Sequence, residues 1–213
     1  MRSHSDIKKF KEVVWNYYSE HKRMMPWRET SDPYHILVSE IMLQQTQVGR
    51  VLIMYPKFIK ALPSFKHLVK APLSRVLNVW QGMGYNRRAI ALKKIAEKVM
   101  REYGGVLPRD VEILKTFSGI GKATAGSIGA FAFNMPTIFI ETNIRRVFIY
   151  HFFPHKEKVS DEEILKYIAT TVDTKNPREW YWALMDYGTH LGQVMKKNNP
   201  NKKIKEYHLQ SKF

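Results

Sequence analysis

Cysteine is absent from the 213-residue chain. That excludes disulfides, a thiolate nucleophile and any cysteine-ligated zinc or iron–sulfur cluster. No apolar run approaches the roughly 20 residues of a membrane span, and Met1-Arg2-Ser3-His4-Ser5-Asp6 lacks the apolar core of a secretory signal. The expectation is an intracellular protein with no membrane partner. Internal repeats, long linkers, alternating strand patterns and a phosphate-binding loop of the nucleotide-hydrolase type are also missing. Acidic residues are scarce, with 19 Asp and Glu against 35 Lys and Arg, leaving a net charge of +16. Such an excess favours a polyanionic partner, and DNA, RNA and an anionic membrane all fit it. With 44% hydrophobic residues, the chain has enough apolar material for one large or two small folded domains.

What is present is helical periodicity. Ser5 or Asp6 caps a first helix whose apolar residues Ile7, Phe10, Val14 and Tyr17 share a face. Leu92, Ile95, Ala96, Val99 and Tyr103 form another, stopped by Gly104-Gly105. Ile113, Leu114 and Phe117 precede Ser118-Gly119-Ile120-Gly121-Lys122, and Ala125, Ile128, Gly129 and Ala132 follow it, so this glycine hairpin joins two helices. Ile144, Val147 and Phe148 make the next face. Ser160 and Glu163 form a capping box ahead of Ile164, Leu165, Ile168 and Val172, and Trp180, Leu184, Tyr187 and Leu191 form the last face. Only Lys196 to Lys205, rich in Lys and Asn, reads as loosely ordered. The fold class is all-α.

Two acids stand out against this background. Glu141 follows the hairpin by twenty residues, inside an apolar run just ahead of Thr142-Asn143-Ile144-Arg145-Arg146. Glycines 119 and 121 would free backbone N–H groups and a helix N-terminus to face a phosphate, with that carboxylate nearby. Glu40 lies within the otherwise apolar stretch Ile36 to Leu43. Burying an unpaired carboxylate costs several kcal/mol or forces it to hold a proton, and a proton held near neutrality can be donated. The same placement also suits a partly buried glutamate satisfied by Ser39, a tyrosine or an arginine. Gln44, Gln45 and Gln47 follow at once, uncharged donors and acceptors able to meet base edges or simply to solvate a helix end. His151 and His155 are spaced as metal ligands, but Pro154 breaks the helix that would aim both at one ion, so no metal site is expected. Asp161, Glu162 and Glu163 read as charges at a helix start.

The motifs in order resemble the helix-hairpin-helix DNA glycosylase superfamily, and within it the MutY-type adenine glycosylases. They are Met25-Pro26-Trp27-Arg28, Asp32-Pro33-Tyr34, Ser39 to Val48, Trp80 to Tyr85, Arg88-Ala89, Gly104-Gly105, Gly119 to Ala125, Asn143 to Val147 and Met185 to Gly188. The resemblance runs from about Lys8 to Gly192. It implies two lobes: a six-helix barrel over residues 30–137 containing the hairpin, and a second helical lobe from residues 1–29 and 138–213. It also implies a lesion held where Glu40 and Glu141 converge, and a monomer in the cytoplasm or nucleoid acting on double-stranded DNA with a mismatched or damaged base. Glu40 corresponds to the acid that protonates the leaving base, and Glu141 to the acid that stabilises or captures the sugar cation. Gln44 and Gln45 correspond to residues near the opposing base, and Tyr85 to a wedge beside the lesion. Gly119, Gly121, Lys122, Arg28 and Asn143 correspond to the DNA-holding surface, with a monovalent cation at the hairpin.

The sequence departs from the family in four places. Glu141 stands where the family has aspartate, and its extra methylene moves the carboxylate by roughly an ångström. Ala123 occupies the slot that holds a Schiff-base lysine in bifunctional relatives and a tyrosine in thymine-removing ones, so a monofunctional hydrolase without lyase activity is expected. Gly192, Asn199, Lys202 and His208 take the four cysteine positions of the iron–sulfur cluster, so no cluster is expected. The sequence ends at Phe213, so the C-terminal domain that reads 8-oxoguanine is not expected. The reading is excision of adenine opposite 8-oxoguanine or guanine. Thymine or uracil removal opposite guanine and non-catalytic lesion binding are the alternatives.

Overall fold

A computed structural model of the protein describes residues 4–198, and these contain helices with no strand among them. The helices are α1 (His4–His21), α2 (Pro33–Leu43), α3 (Val48–Ala61), α4 (Phe65–Lys70), α5 (Leu73–Trp80), α6 (Arg87–Glu102), α7 (Val111–Lys115), α8 (Lys122–Phe133), α9 (Thr142–Phe152), α10 (Asp161–Thr171) and α11 (Pro177–Asn198). The basic stretch expected to be loose is helical through Lys196, Lys197 and Asn198, the end of α11. Residues 199–205 and the cluster position His208 lie outside the described residues, as do Asn199 and Lys202 among those four positions. No described helix is long and apolar enough to cross a membrane. By its contacts the chain divides into Met24–Asn134 and a unit made from both ends, residues 4–23 and 135–198.

In Met24–Asn134, α2 is the central element, packed against α3, α6 and α8. Its start is set locally. Asp32 accepts hydrogen bonds from Tyr34 N at 2.8 Å and His35 N at 3.1 Å, with Pro33 at the first helical position, where no N–H is needed. The helix is buried nearly all round, through Tyr34, Ile36, Leu37, Val38, Ser39, Ile41 and Met42. Its neighbour α8 is made of small residues, with Ala125, Gly126, Ser127, Gly129 and Ala130 buried, so the two backbones can approach closely. Met25 and Trp27 are buried here too, Trp27 edge-on to Tyr55 at 5.6 Å. Asn134 ends α8 in the left-handed region (φ 52, ψ 38), which its short amide side chain tolerates.

The terminal unit is built on an aromatic core. Phe10 meets Phe148, Phe152 and Trp180 at centroid distances of 5.3, 4.9 and 6.0 Å. On α1 the buried stripe is Phe10, Val14 and Tyr18, not the expected Tyr17. Positions four apart keep to one stripe, whereas Tyr17 lies at its margin, half-buried between Tyr187 and His190 at 5.3 and 4.9 Å. Ser160 and Glu163 form the expected capping box of α10, where Ile164 and Ile168 are buried and Leu165 is not. All four expected residues on α11, Trp180, Leu184, Tyr187 and Leu191, are buried. Asp186, which matched a family position, is buried and accepts from Arg23 N at 3.0 Å and Arg23 Nε at 2.6 Å, fixing the chain just before it enters the other unit.

Candidate functional site

Glu40 projects from α2 onto α8. Ser127 Oγ, 4% exposed, lies 2.5 Å from Glu40 Oε2 and 3.0 Å from the Thr124 carbonyl oxygen. A hydroxyl has one hydrogen to give, and a carbonyl oxygen can only accept. When the Ser127 hydrogen goes to Thr124, the hydrogen between Ser127 and Glu40 must come from Glu40. When it goes to Glu40 instead, the carboxyl is the acceptor, so the contact admits both the protonated and the ionised form. Ser127 was missed in the sequence, where its only signal is that it is the one hydroxyl in the buried middle of a helix of alanine and glycine.

At the end of α2 the chain turns through Gln44 and Gln45. Gln44 Nε2 donates to Gly119 O at 3.0 Å and to Thr124 Oγ1 at 3.2 Å, so this amide is turned onto the hairpin. Gln45 is exposed with φ 52, and Tyr85 is 55% exposed with φ 49, both in the left-handed region. Arg88, 6% exposed, reaches both turns from α6. Its signal was present in the sequence: Arg88 falls in register with Leu92, Ile95 and Val99, a cation on an apolar face.

The hairpin joins α7 to α8 as expected, but its two glycines differ. Gly119 has φ +76, and a Cβ there would meet Ala91 Cβ at 3.2 Å. Gly121 has φ −90, an ordinary conformation, and a Cβ on it would meet nothing within 4 Å. Only Gly119 needs to be glycine for the turn itself; at Gly121 the missing side chain leaves the start of α8 open. No side chain caps that start, and Lys122 and Ala123 are exposed beside it. A helix N-terminus with uncapped N–H groups attracts an anion.

In the terminal unit, Glu141 is the N-cap of α9. Its Oε1 accepts from Asn143 N at 2.9 Å and Ile144 N at 3.0 Å, and its Oε2 accepts from Asn143 Nδ2 at 3.3 Å. Burial is the largest influence and raises the carboxyl above its ordinary value, while the two N–H groups and then the charges of Arg146 and Arg145 oppose it. Asn143 is occupied at both ends of its amide, since its Oδ1 accepts from Arg146 Nη1 at 2.8 Å. Arg146 also donates to Gly188 O at 2.6 Å. A Cβ at Gly188 would overlap the Asn143 carbonyl, and one at Gly192 would come within 2.8 Å of Arg146 Nη1. A side chain at Gly192, the first cluster position, would require the Arg146 guanidinium to shift, and glycine itself offers no ligand there.

Arg28 is half-buried in the short 3-10 turn Pro26–Arg28 of the Met24–Asn134 unit. His151 Nε2 lies 3.0 Å from Tyr187 Oη, while His155 is exposed beyond the end of α9. Among the described residues no group of three or more His, Asp or Glu is gathered as a metal ion would need. The expected site residues thus divide between the units: Arg28, Glu40, Gln44, Gln45, Tyr85, Gly119, Gly121 and Lys122 in Met24–Asn134, and Glu141 and Asn143 in the other.

The model of the HhH-GPD superfamily base excision DNA repair protein matches residues 38–171, a span that contains Glu40, the hairpin and Glu141. The chain belongs to this superfamily. It is 34% identical over 196 residues to an adenine DNA glycosylase of Buchnera aphidicola, covering 90% of this chain and 54% of that protein. The chain spans about half the length of the curated relatives that it matches. Among solved structures it resembles a thermostable thymine-DNA glycosylase with a TM-score of 0.79 and 28% identity, covering 86% of each chain. A trapped covalent intermediate of endonuclease III with DNA has a TM-score of 0.74 at 18% identity, covering 95% of this chain and 92% of that one, a likeness of fold. The HhH-GPD assignment agrees with the all-helical class and with the family resemblance of the motifs.

Proposed function

We propose that this chain is a monofunctional DNA glycosylase of base excision repair, one that flips a mispaired adenine opposite 8-oxoguanine or guanine and hydrolyses its N-glycosidic bond. The observation that carries the reading is Glu40 on Ser127, a carboxyl in an apolar helix beside a hydroxyl able to give or take a hydrogen, so that the carboxyl can hold a proton and lose it. Glu40 gives that proton to the purine ring, and the electron pair of the glycosidic bond leaves with the base. The Glu141 carboxylate, facing three donors, stabilises the sugar cation. Water adds to the sugar carbon, and its released proton restores Glu40. Ala123 offers no amine for a Schiff base, so the reaction ends at an abasic site. Gly119, Gly121, Lys122 and the open start of α8 hold a phosphate, Arg28 and Asn143 support the DNA-holding surface, and Gln45 and Tyr85 meet the opened base pair. Phe117 O and Gly119 O each already accept a hydrogen bond, from Ile120 N and Gln44 Nε2, so a monovalent cation at the hairpin would share them. The grip uses the N–H groups and does not depend on the cation.

The relatives named adenine DNA glycosylase support adenine as the substrate. The likeness to the thymine-DNA glycosylase favours a second reading, thymine or uracil opposite guanine. A duplex panel separates them: A opposite 8-oxoguanine, A·G, T·G and U·G, scored for abasic sites with and without alkali. Adenine release is expected. Release of thymine alone would move the assignment to the second reading, and binding without product on any duplex would overturn the enzyme. Strand scission without alkali or heat would overturn the monofunctional assignment.

A further inference from the structure

Apart from the helix cap Asn134, the non-glycine residues with left-handed backbone among those described are Gln45 and Tyr85. Such conformations cost free energy in residues with a Cβ and persist only where the surroundings over-determine them. The two lie on different turns, one after α2 and one before α6. A single guanidinium reaches both. Arg88 Nη1, with two hydrogens to give, lies within hydrogen-bond distance of Ile41 O at 3.2 Å, Met42 O at 2.9 Å, Gln44 O at 2.5 Å and Thr46 Oγ1 at 2.9 Å, on either side of Gln45. Its Nη2 donates to Met83 O at 2.8 Å and Gly84 O at 3.2 Å, the residues that lead into Tyr85. The Arg88 backbone N–H bonds Tyr85 O at 2.9 Å, and the guanidinium carbon lies 5.5 Å from the Tyr85 ring centroid.

These contacts exceed what capping α2 requires. A cap would use the orphan carbonyls of Ile41 and Met42, at the negative end of the helix dipole. The Nη2 contacts serve the other turn, and the planar fork is what lets one side chain hold two loops at fixed separation. Resting on the reading of the chain as a DNA glycosylase, we propose that Arg88 is a positioning residue that sets Gln45 and Tyr85 as a pair, so that both side chains enter an opened duplex in one geometry. The guanidinium faces carbonyl oxygens and the Thr46 hydroxyl, and the residue itself does not touch the reacting atoms.

The test uses the full chain and a duplex with 2-aminopurine beside the mismatch, whose fluorescence rises when the base pair is opened. Arg88→Lys keeps the charge but has one nitrogen to share between two turns. It is expected to lower the rate of the fluorescence rise by about tenfold, the equivalent of about 1.4 kcal/mol, with duplex affinity changed much less. Thr46→Val removes one of the six contacts in a variant that keeps the fold, and a smaller loss in the same direction is expected. Each substitution is then repeated in a Gln45→Ala, Tyr85→Ala background. If Arg88 acts through those side chains, its substitution has no further effect there. A loss that persists in that background, or normal opening in Arg88→Lys, would overturn the proposal. A wild type that opens the pair but excises nothing sinks the glycosylase reading and leaves Arg88 to be decided by the cycle; one that does neither sinks both.

Discussion

In Met24–Asn134, Glu40 rests on a hydroxyl whose single hydrogen is also in reach of a carbonyl; in the terminal unit, Glu141 is surrounded by donors, two backbone N–H groups and an amide. The same side chain thus meets two different sets of partners. Around Glu40 the Ser127 hydrogen can go to the carboxyl or to the Thr124 carbonyl oxygen, so the carboxyl can serve as acceptor or, when protonated, as donor. Around Glu141 every bond asks for an acceptor, so the ionised form fits them although burial pulls the carboxyl upward. A hydroxyl that can give or take a hydrogen suits a group that must donate a proton and recover it, and a ring of donors suits a group that acts as an anion, which supports the division of roles proposed above.

Removing the proton from the first arrangement should have the largest effect. Glu40→Gln keeps the volume and the contact with Ser127 but has no acidic hydrogen, so excision should fall by about 10²- to 10⁴-fold with duplex affinity nearly unchanged. Single-turnover rates on the preferred duplex give the answer, and an undiminished rate removes the general-acid role. Glu141→Gln removes the charge but leaves an oxygen to cap α9. The loss expected is about 10²- to 10³-fold, the size seen when one preorganised electrostatic contact to a transition state is deleted. Glu141→Asp retains both charge and cap, and asks whether the extra methylene matters; a shift of roughly an ångström can change the rate by about a hundredfold. If Glu141→Gln were harmless and Glu40→Gln were too, the contrast between the two carboxyls would carry no chemistry.

How far the sequence revealed these arrangements differs between the two acids. The helical class, the hairpin between two helices, the stop at Gly104-Gly105 and the Ser160 to Glu163 box were legible because each rests on local periodicity or a local cap. Glu40 was legible as an acid among apolar residues, but Ser127, eighty-seven positions away, was not, since only the packing of α2 on α8 brings it there. The turn of Gln44 onto Gly119 and Thr124 was hidden for the same reason. Glu141 was noted as an acid near Asn143, yet its use as a helix cap was not read, because glutamate is not among the residues that usually cap. Gly119 and Gly121 were read alike, yet only Gly119 has a positive φ; composition cannot distinguish a glycine required by backbone conformation from one that leaves a surface open.

The two units can also be separated by their tolerance of a single methyl group. Gly188→Ala would press a Cβ onto the Asn143 carbonyl at the contact of α9 and α11. Overpacking of this kind costs about 1–3 kcal/mol. The cost should fall on the Glu141 arm, as a lower melting temperature and slower excision, because Arg146, Asn143 and Glu141 form one chain of hydrogen bonds from Gly188. Gly121→Ala meets open space and leaves stability nearly unchanged, so any loss of duplex affinity would report the phosphate grip directly. Equal melting temperatures for Gly188→Ala and wild type would mean that α9 and α11 can part without cost.

The smallest effect separates the units by acid. His151 is packed against the rings of Phe10 and Tyr150 at 5.1 and 5.0 Å, and its Nε2 meets Tyr187 Oη, a phenol whose own ionisation burial pushes up to about 12. Burial lowers the imidazole from its ordinary value of 6.5. The unfolded chain therefore binds the proton first as pH falls. The stability due to neutral His151 is complete above about pH 6.5 and is lost as pH drops from there through the lower folded value. Melting followed between pH 7.5 and 5 should show the terminal unit weakening while Met24–Asn134 does not, and His151→Gln, which keeps a partner for Tyr187 without titrating, should flatten that slope. A slope unchanged in His151→Gln would place the acid sensitivity on other groups.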